Sequence, residues 1–324
     1  MPMPNPDNNR ISRRTALGAI GVSMLAGCSL GSQPTTARRT RPIPDPTDPG
    51  RFRVSLAEWS LHKLLFANEI DNLDFPREAA SMGFGAVEYV NAFFKDKATD
   101  DAYLKRLDTR CTDAGVESLL IMVDGEGRLG APTAKERTAA ADSHERWLHA
   151  AAALGCHSIR VNASGEGDWD EWQKHAADGL RALCERAERF NINVIVENHG
   201  GPTSNGEWLA GMIKRTDHPL AGTLPDFGNF CYDWSKSDDP EQWYDRYQGV
   251  RDLMPYAKAV SAKSYDFDDA GNETTIDFAR MLRIVADSNY RGWIGVEFEG
   301  SRLDPREGSR RTKALLEREI AKLG

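Results

Sequence analysis

Four short apolar segments of this chain each stop at an ionisable residue. The segments cover residues 194–197, 222–226, 259–263 and 293–297, and they end in Glu197, Asp226, Lys263 and Glu297, respectively. Apolar runs of this length are typical of strands that are buried on both faces of a sheet. Charges placed where such strands stop converge on one rim, and carboxylates gathered there repel one another unless a cation or a proton neutralises them. The pattern therefore predicts a divalent-metal site at the mouth of a barrel.

The elements that must position these charges recur from residue 53 onwards. Strands are predicted at 53–58, 86–90, 116–122, 158–162, 193–197, 222–226, 259–263 and 293–297. Amphipathic helical patterns lie between them at 74–82, with Asp74 as the expected N-cap, and at 139–154, 171–190 and 275–286. This alternation predicts an α/β fold, a single-domain (β/α)8 TIM barrel. A doubly wound sheet is the alternative, disfavoured because the sequence has neither a GxGxxG loop after the first strand nor a Walker A motif.

In a barrel of this kind, active sites form at the carboxyl rim of the strands. Read in order, the predicted strand ends are Glu58, Glu88, Met122, Asn162, Glu197, Asp226, Lys263 and Glu297. An oxygen-rich set of this kind suits Mg²⁺ or Mn²⁺. If His199 also faces inward, the preference shifts towards Mn²⁺, Co²⁺ or Zn²⁺.

Several of these residues also have a purely structural explanation. Glu58 could pair with a surface lysine or arginine, and Asn162 could cap the helix that follows it. Glu88 is followed by a polar-aromatic stretch that ends at Asn91 and would suit the binding of a sugar. His199 could belong to the site, or it could form only local hydrogen bonds. The other histidines singled out are expected to be solvated, and they are His62, His144, His149, His175 and His218.

Lys263 is a candidate acid, base or stabiliser of an enolate oxygen. Burial near cations is expected to depress its pKa, and the alternative is a salt bridge to Glu297 or Asp226. Glu299 is expected to pair at the surface. Aromatic side chains that follow the strand ends would suit a carbohydrate ligand. They are Trp59, Phe93, Phe94, Trp169, Trp172 and Trp208.

The N-terminal residues have the pattern of an export signal. Arg13 and Arg14 precede an apolar stretch at 16–26, which is too short to span a bilayer. The twin arginine resembles a Tat signal, and the Leu-Ala-Gly-Cys run that ends at Cys28 resembles a bacterial lipobox with a lipidated cysteine. An ordinary disordered N-terminus is the alternative. We expect a signal at 1–28, a Pro- and Thr-rich linker at 29–50 and the barrel at 51–324, in a periplasmic or cell-envelope lipoprotein that contacts the membrane only through its lipid.

The composition fits a globular domain and argues against nucleic-acid binding. The chain has 324 residues, 40% of them hydrophobic and 28% charged, with a net charge of −8. An acidic surface disfavours binding to a phosphate backbone. Beyond Cys28, the cysteines show no CxxC pair. Cys156 and Cys184 are expected in the core, and no essential disulfide is expected.

Four motifs together resemble the xylose isomerase-like TIM-barrel superfamily, in its sugar phosphate isomerase/epimerase group. They are VENHGG at 196–201, LPDFGN at 224–229, SAKSYDFD at 261–268 and GVEFEG at 295–300. Metal ligands in such enzymes are a Glu, an Asp, a His and a Glu from strands five to eight. The resemblance therefore implies a divalent metal, Mn²⁺, Mg²⁺, Co²⁺ or Zn²⁺, held by Glu197, Asp226 and Glu297. The catalytic candidates are Glu197, Glu297, Lys263 and His199, and the substrate-binding candidates are Glu58, Glu88, Asn91, Asn162 and Asn229.

The chain departs from the family pattern on strand seven. No histidine occurs at 259–263, where Ser261 and Lys263 stand instead. The metal would then be held by three carboxylates with water or with His199, or it would bind weakly or not at all, with Lys263 supplying the positive charge. The related AP endonucleases need a histidine-rich three-zinc cluster. Asn229 and Ser261 stand where histidines would be expected, which disfavours DNA repair.

Three functions fit these residues. The first is a carbohydrate isomerase or epimerase that forms an enediolate from a free sugar, keto-sugar or related polyol, with Glu197 or Glu297 as general base. The second is a lyase or hydrolase that cleaves an oxidised glycoside by β-elimination from the same intermediate. The third is an anchored carbohydrate-binding barrel without catalysis. In each case the partner is a small carbohydrate, and the sequence leaves the oligomeric state open.

Overall fold

The computed structural model describes residues 52–323. Cys28, the predicted signal at 1–28 and the predicted linker at 29–50 lie outside this part of the chain, so the proposed domain boundaries stay predictions.

Eight parallel strands form one sheet in the described residues, in the order β6-β5-β4-β3-β2-β1-β8-β7. Their bounds are β1 Phe52–Ala57, β2 Ala86–Val90, β3 Glu117–Met122, β4 Ser158–Val161, β5 Asn193–Glu197, β6 Ala221–Leu224, β7 Val260–Ser264 and β8 Gly292–Phe298. The two outermost strands in this order, β6 and β7, are joined by parallel bridges between Thr223 and Ala257 and between Asp226 and Ser261. The sheet therefore curls until its ends meet, and the predicted (β/α)8 barrel is confirmed.

Helices cover the outside of the sheet. Those of the described residues are α1 His62–Phe66, α2 Phe75–Ser81, α3 Asp101–Ala114, α4 Ala134–Ala153, α5 Trp169–Ala187, α6 Gly206–Thr216, α7 Arg246–Leu253, α8 Phe278–Asp287 and α9 Pro305–Ile320. None of them combines the length and the apolar character that crossing a bilayer requires. The four predicted helices correspond to α2, α4, α5 and α8. Asp74 precedes α2, but its side chain does not cap that helix, because it accepts instead from the backbone N–H of Asp71 and from Arg77.

Three strands, β1, β4 and β6, end slightly earlier than their apolar runs suggest. Glu58 begins a short 3-10 helix after β1, and Asp226 lies two residues beyond β6. The backbone leaves the sheet at these points because side chains and neighbouring loops supply new hydrogen-bond partners. The N–H of Asp226, for example, donates to the side chain of Asn198 at 2.8 Å. The charged residues are thus fixed by loop geometry as well as by strand register.

Close packing on the outside of the barrel leaves no room for extra atoms at Gly179 of α5. A methyl group there would overlap the carbonyl oxygen of Leu129, which belongs to the loop after β3. This contact packs α5 against the loop that follows the carboxyl end of β3.

We expect Gly179→Ala to lower the free energy of unfolding by about 1–3 kcal/mol, the usual cost of overpacking. Helix propensity alone would act in the opposite direction by up to about 1 kcal/mol. Urea unfolding measures the difference, and Glu185→Ala, an exposed position on the same helix, is the matched control. A more stable Gly179→Ala protein would contradict the contact.

Candidate active site

Three buried carboxylates meet at the carboxyl end of the barrel. Glu197 ends β5, Asp226 follows β6, and Glu297 lies one residue before the end of β8. Each is at most 4% exposed, and one oxygen from each lies within 4.8 Å of the others. The structure therefore brings together the three residues that the sequence assigned to a metal. We call them the carboxylate cluster.

Backbone contacts fix the Asp226 carboxylate. Its Oδ1 accepts hydrogen bonds from the N–H groups of Gly228 and Asn229, both at 2.8 Å. The side chain of Asn198 clamps the Asp226 backbone, since it accepts from the N–H at 2.8 Å and donates to the carbonyl at 3.0 Å. The backbone therefore holds Oδ1, and Oδ2 is the oxygen of Asp226 that contacts Ser261.

Ser261 joins two members of the cluster. Its hydroxyl oxygen lies 2.7 Å from Oδ2 of Asp226 and 2.9 Å from Oε2 of Glu297. A hydroxyl group has one proton to donate. Two ionised carboxylates at these distances therefore need a further proton or cation between them.

Two buried cations flank the cluster. Nη1 of Arg160 lies 2.7 Å from Oδ1 of Asp124, and Nε lies 2.8 Å from Oε2 of Glu197, although not in hydrogen-bonding geometry. On the other side, Nζ of Lys263 lies 3.3 Å from Oε1 of Glu297 and 3.2 Å from Oε2 of Glu299. Five carboxylates thus share two fixed positive charges, which leaves an excess of negative charge.

Burial and neighbouring charges give the three carboxyl groups of the cluster different pKa values. Burial raises the pKa of Glu197 to about 7, against the lowering effect of Arg160. Burial likewise raises the pKa of Asp226 to about 7, although Lys263 opposes the shift. For Glu297, burial also acts to raise the pKa, but Lys263 and Arg160 outweigh it and the pKa is lowered. The cluster therefore holds a proton readily when no metal is bound.

The pKa of Lys263 shifts in the direction opposite to the sequence-based expectation. Burial acts to lower it, but Glu297, Asp226 and Glu299 raise it well above its ordinary value. The neighbours of Lys263 are mainly carboxylates rather than cations, so its ammonium group stays protonated. The alternative interpretation of Lys263, a salt bridge to Glu297, is observed at 3.3 Å.

The donor set fits a divalent ion. Carboxylate oxygens are the ligands that Mg²⁺ and Mn²⁺ prefer, and Zn²⁺ also accepts them. Oε2 of Glu197 is buried without a hydrogen bond within the described residues, and such an atom is satisfied by a cation. The hydroxyl of Ser261, from the strand on which the family resemblance implies a histidine, lies between Asp226 and Glu297.

The predicted amide and histidine residues surround the cluster. Asn229 donates to Oε1 of Glu197 at 3.0 Å, and Asn162 donates to Oδ1 of Asp124 at 2.6 Å. Asn91 pairs through its side chain with the backbone of Asp124. Part of His199 is open to solvent at the barrel mouth. The protein nevertheless removes water from most of its surroundings, and this desolvation, followed by the charges of Arg160 and Lys263, lowers the pKa of His199.

Glu58 and Glu88 are not members of the carboxylate cluster, although burial, together with the charges of Glu297 and Glu197, raises the pKa of Glu88. Glu58 is fully buried in the wall, where it accepts from Asn72 and from the N–H of Val90, both at 2.8 Å. Glu88 accepts from Ser55 at 2.6 Å and lies against Gly295 inside the barrel. Neither forms the surface pair or the rim contact that the sequence suggested, because both side chains point into the packed interior.

Three charged residues of the site were missed or misplaced by the sequence analysis. Asp124 and Arg160 were not singled out, although an arginine within a four-residue buried strand is itself a signal of an internal charge partner. Glu299 does not pair at the surface. Its Oε1 accepts from Trp59 at 2.6 Å, and its other oxygen contacts buried Lys263.

Some side chains that were expected to contact solvent or a ligand are buried instead. His144 is buried, not solvated, because its Nδ1 lies 2.7 Å from the carbonyl of Ala140 one helical turn earlier. Phe94 and Trp208 are core residues rather than rim residues. Cys156 and Cys184 lie in the core as expected, and the cysteines of the described residues are free thiols.

The buried Glu58 predicts a pH dependence of stability. Burial raises its pKa from 4.5 to about 8, so between these values the folded protein holds a proton that the unfolded chain releases. Rising pH then favours unfolding. We expect the stability of the wild type relative to Glu58→Gln to fall by up to about 1.4 kcal/mol per pH unit from pH 5 to 8. Urea unfolding across this range measures the slope, and Glu185→Gln is the exposed control. A difference that does not change with pH would contradict the buried protonated state.

Comparison with known proteins relates the chain to carbohydrate-modifying enzymes. Inosose dehydratase of Clostridium botulinum is 24% identical over 257 residues, which cover 68% of this chain and 80% of that protein. The C-glycoside deglycosidase alpha subunit of Arthrobacter globiformis is 39% identical over 61 residues, 19% of this chain. The match spans only 15% of that subunit's length.

Solved structures share the fold. The 3-keto-D-glucoside 4-epimerase of E. coli superposes with a TM-score of 0.62 at 18% identity, over 83% of this chain and 99% of that chain. Other structures of this fold contain bound zinc or magnesium. The family model described as "Xylose isomerase-like TIM barrel" matches residues 76–319. The chain belongs to the xylose isomerase-like TIM-barrel family.

Proposed function

We propose that this protein is a carbohydrate isomerase or epimerase that moves a proton beside a carbonyl group through an enediolate intermediate. The substrate would be a free sugar, a keto-sugar or a related polyol. The observation that carries the proposal is the carboxylate cluster with its two flanking cations, because it combines a base with fixed positive charge. The epimerases and dehydratases among its relatives support the same class of chemistry.

A divalent metal would be held by Glu197, Asp226 and Glu297. When bound, such an ion polarises a carbonyl oxygen and acidifies the neighbouring C–H bond. Ser261 orients two of these carboxylates, and Asn229 orients the third through its contact with Oε1 of Glu197. The protein would thus fix the position of its ligands before substrate arrives.

Glu197 is the better placed general base of the two glutamates. Its pKa is raised to about 7, which suits a group that takes up a proton near neutral pH, whereas the pKa of Glu297 is lowered. Asn229 holds Oε1 of Glu197, and Oε2 lies 2.8 Å from Nε of Arg160 without a hydrogen bond within the described residues. Lys263 and Arg160 remain protonated and would stabilise negative charge that develops on the substrate oxygen. His199, at the exposed mouth, would bind a substrate hydroxyl.

A lyase is the second candidate. Elimination of a substituent from the carbon next to the enediolate needs the same base, so the two reactions share their first step. Two observations favour it. Relatives are named inosose dehydratase and C-glycoside deglycosidase alpha subunit, and Ser261 replaces the histidine of the family pattern. The lipoprotein prediction for residues 1–28 would place either reaction outside the cytoplasm.

Metal binding tests the cluster directly. After loading with Mn²⁺, Co²⁺ or Zn²⁺, elemental mass spectrometry is expected to find about one ion per chain in the wild type, as a single set of hard oxygen donors requires. Glu197→Gln should lose the ion. Glu88→Gln, also a buried glutamate inside the barrel, should retain it. A wild type without metal would remove the basis for the metal-assisted mechanism and would direct attention to Lys263.

The fate of the substrate proton distinguishes the reactions. Incubation of the metal-loaded protein with keto-sugars in D₂O should place deuterium beside the carbonyl, as read by NMR. Lys263→Met should slow this exchange about a hundredfold or more, the usual loss of an oxyanion-stabilising group. The control is Lys63→Met, which removes an ammonium group that donates to the carbonyl of Gly300.

Release of an aglycone from a 3-keto-glycoside would identify the lyase. Binding of keto-sugars with neither exchange nor cleavage would contradict both enzymatic proposals and leave a carbohydrate-binding barrel.

A further inference from the structure

A cleft walled by tryptophans opens beside the carboxylate cluster. Its volume is ≈ 430 Å³, within the usual range for small-molecule sites. Loops that follow β4, β5 and β6 form it. We call it the tryptophan cleft and define it by Asn162, Trp172, His199, Gly201, Tyr232 and Trp234.

Two glycines of the loop after β5 lie beside the two tryptophans. Gly200 and Gly201 have φ values of +85° and +54°, which side-chain-bearing residues rarely adopt. A Cβ atom at Gly200 would lie 3.8 Å from Trp234, and one at Gly201 would lie 3.8 Å from Trp172. The two glycines therefore line the cleft with backbone alone.

Hydrogen bonds hold this loop in place. The N–H of Gly201 donates to the carbonyl of Tyr232 at 2.9 Å. The N–H of Gly200 donates to the hydroxyl of Ser204, which itself donates to the carbonyls of Asn229 and Cys231, each at 2.9 Å. These hydrogen bonds connect the loops after β5 and β6, which both border the cleft.

Contacts of Asn162 link the cleft to the carboxylate cluster. Asn162 lines the cleft and donates to Asp124, which also holds Arg160 next to Glu197. Oδ1 of Asn162 is buried and has no hydrogen-bond partner within the described residues, so it is available to a ligand hydroxyl. His199 lines the same cleft. The three carboxylates of the cluster are not among the lining residues, so the cleft is a space separate from their ligand atoms.

We propose that the tryptophan cleft binds the second ring of a glycoside whose first ring lies at the carboxylate cluster. This inference rests on the proposed function and specifies its substrate class as a glycoside rather than a free monosaccharide. Flat ring faces, of a sugar or of an aromatic aglycone, bury apolar area against indole rings. Trp234 is 48% exposed, so a bound ring would cover surface that water now contacts.

Binding of unreactive glucosides tests the inference without any turnover. The probes are methyl β-D-glucoside, phenyl β-D-glucoside and cellobiose, titrated by calorimetry against the full chain. At least one two-ring probe should bind about tenfold more tightly than the methyl glucoside, which corresponds to about 1.4 kcal/mol. Preference for the phenyl compound indicates an aromatic aglycone, and preference for cellobiose indicates a second sugar.

Trp234→Ala should abolish this preference, because it removes one wall without a large loss of buried area. Phe66→Ala removes another exposed aromatic ring, 60% exposed and outside the cleft, and should keep the preference within twofold. Equal binding of all three probes by the wild type, or a preference that survives Trp234→Ala, would overturn the inference. Failure of metal binding or proton exchange would instead count against the proposed function, because these titrations need neither.

Discussion

The site depends on an imbalance of buried charge. Among the described residues, the fixed cations that Asp124, Glu197, Asp226, Glu297 and Glu299 face are Arg160 and Lys263. Burying unpaired carboxylates is expensive, so a barrel that assembles this set must offset the repulsion with protons or with a bound cation. The raised pKa values of Glu197 and Asp226 correspond to the first solution, and the three ligand atoms of the cluster could hold a metal ion as the second. Proton uptake and metal binding would then compete at one site.

Barrel closure and site formation use the same residues. Asp226 and Ser261 form one of the bridges between β6 and β7, and their side chains also bond to each other. A change that loosens the closure would move a metal-ligand candidate, and a change in the ligands would alter the closure. The clamp of Asn198 on the Asp226 backbone serves both purposes as well. This sharing explains why so much polar area is tolerated at the carboxyl end of an otherwise apolar barrel.

Strand β7 supplies Ser261 to the cluster and no histidine, which affects how the cluster is held together. A histidine would give a further nitrogen ligand, whereas the hydroxyl of Ser261 gives a short bridge between two carboxylates. Lys263, two residues along the same strand, brings a permanent positive charge to Glu297. Under the proposed function, Lys263 would stabilise charge on the substrate from the protein side. The tryptophan cleft adds a recognition surface next to this site, on loops that the barrel fixes rather than on the strands themselves.

The sequence by itself determined the barrel and its three metal-ligand candidates. Apolar strand runs that end in a charge can be seen without coordinates, because strand period and burial are local properties. The tertiary structure alone decided the rest. The pKa of Lys263 was expected to be lowered, but carboxylates from other strands raise it. Glu58 and Glu88 resemble rim residues in sequence, yet the direction of each side chain placed them in the wall and interior. Asp124 and Arg160 became site residues only because β3, β4 and β5 lie side by side, and contacts between residues distant in sequence are not encoded in any one segment.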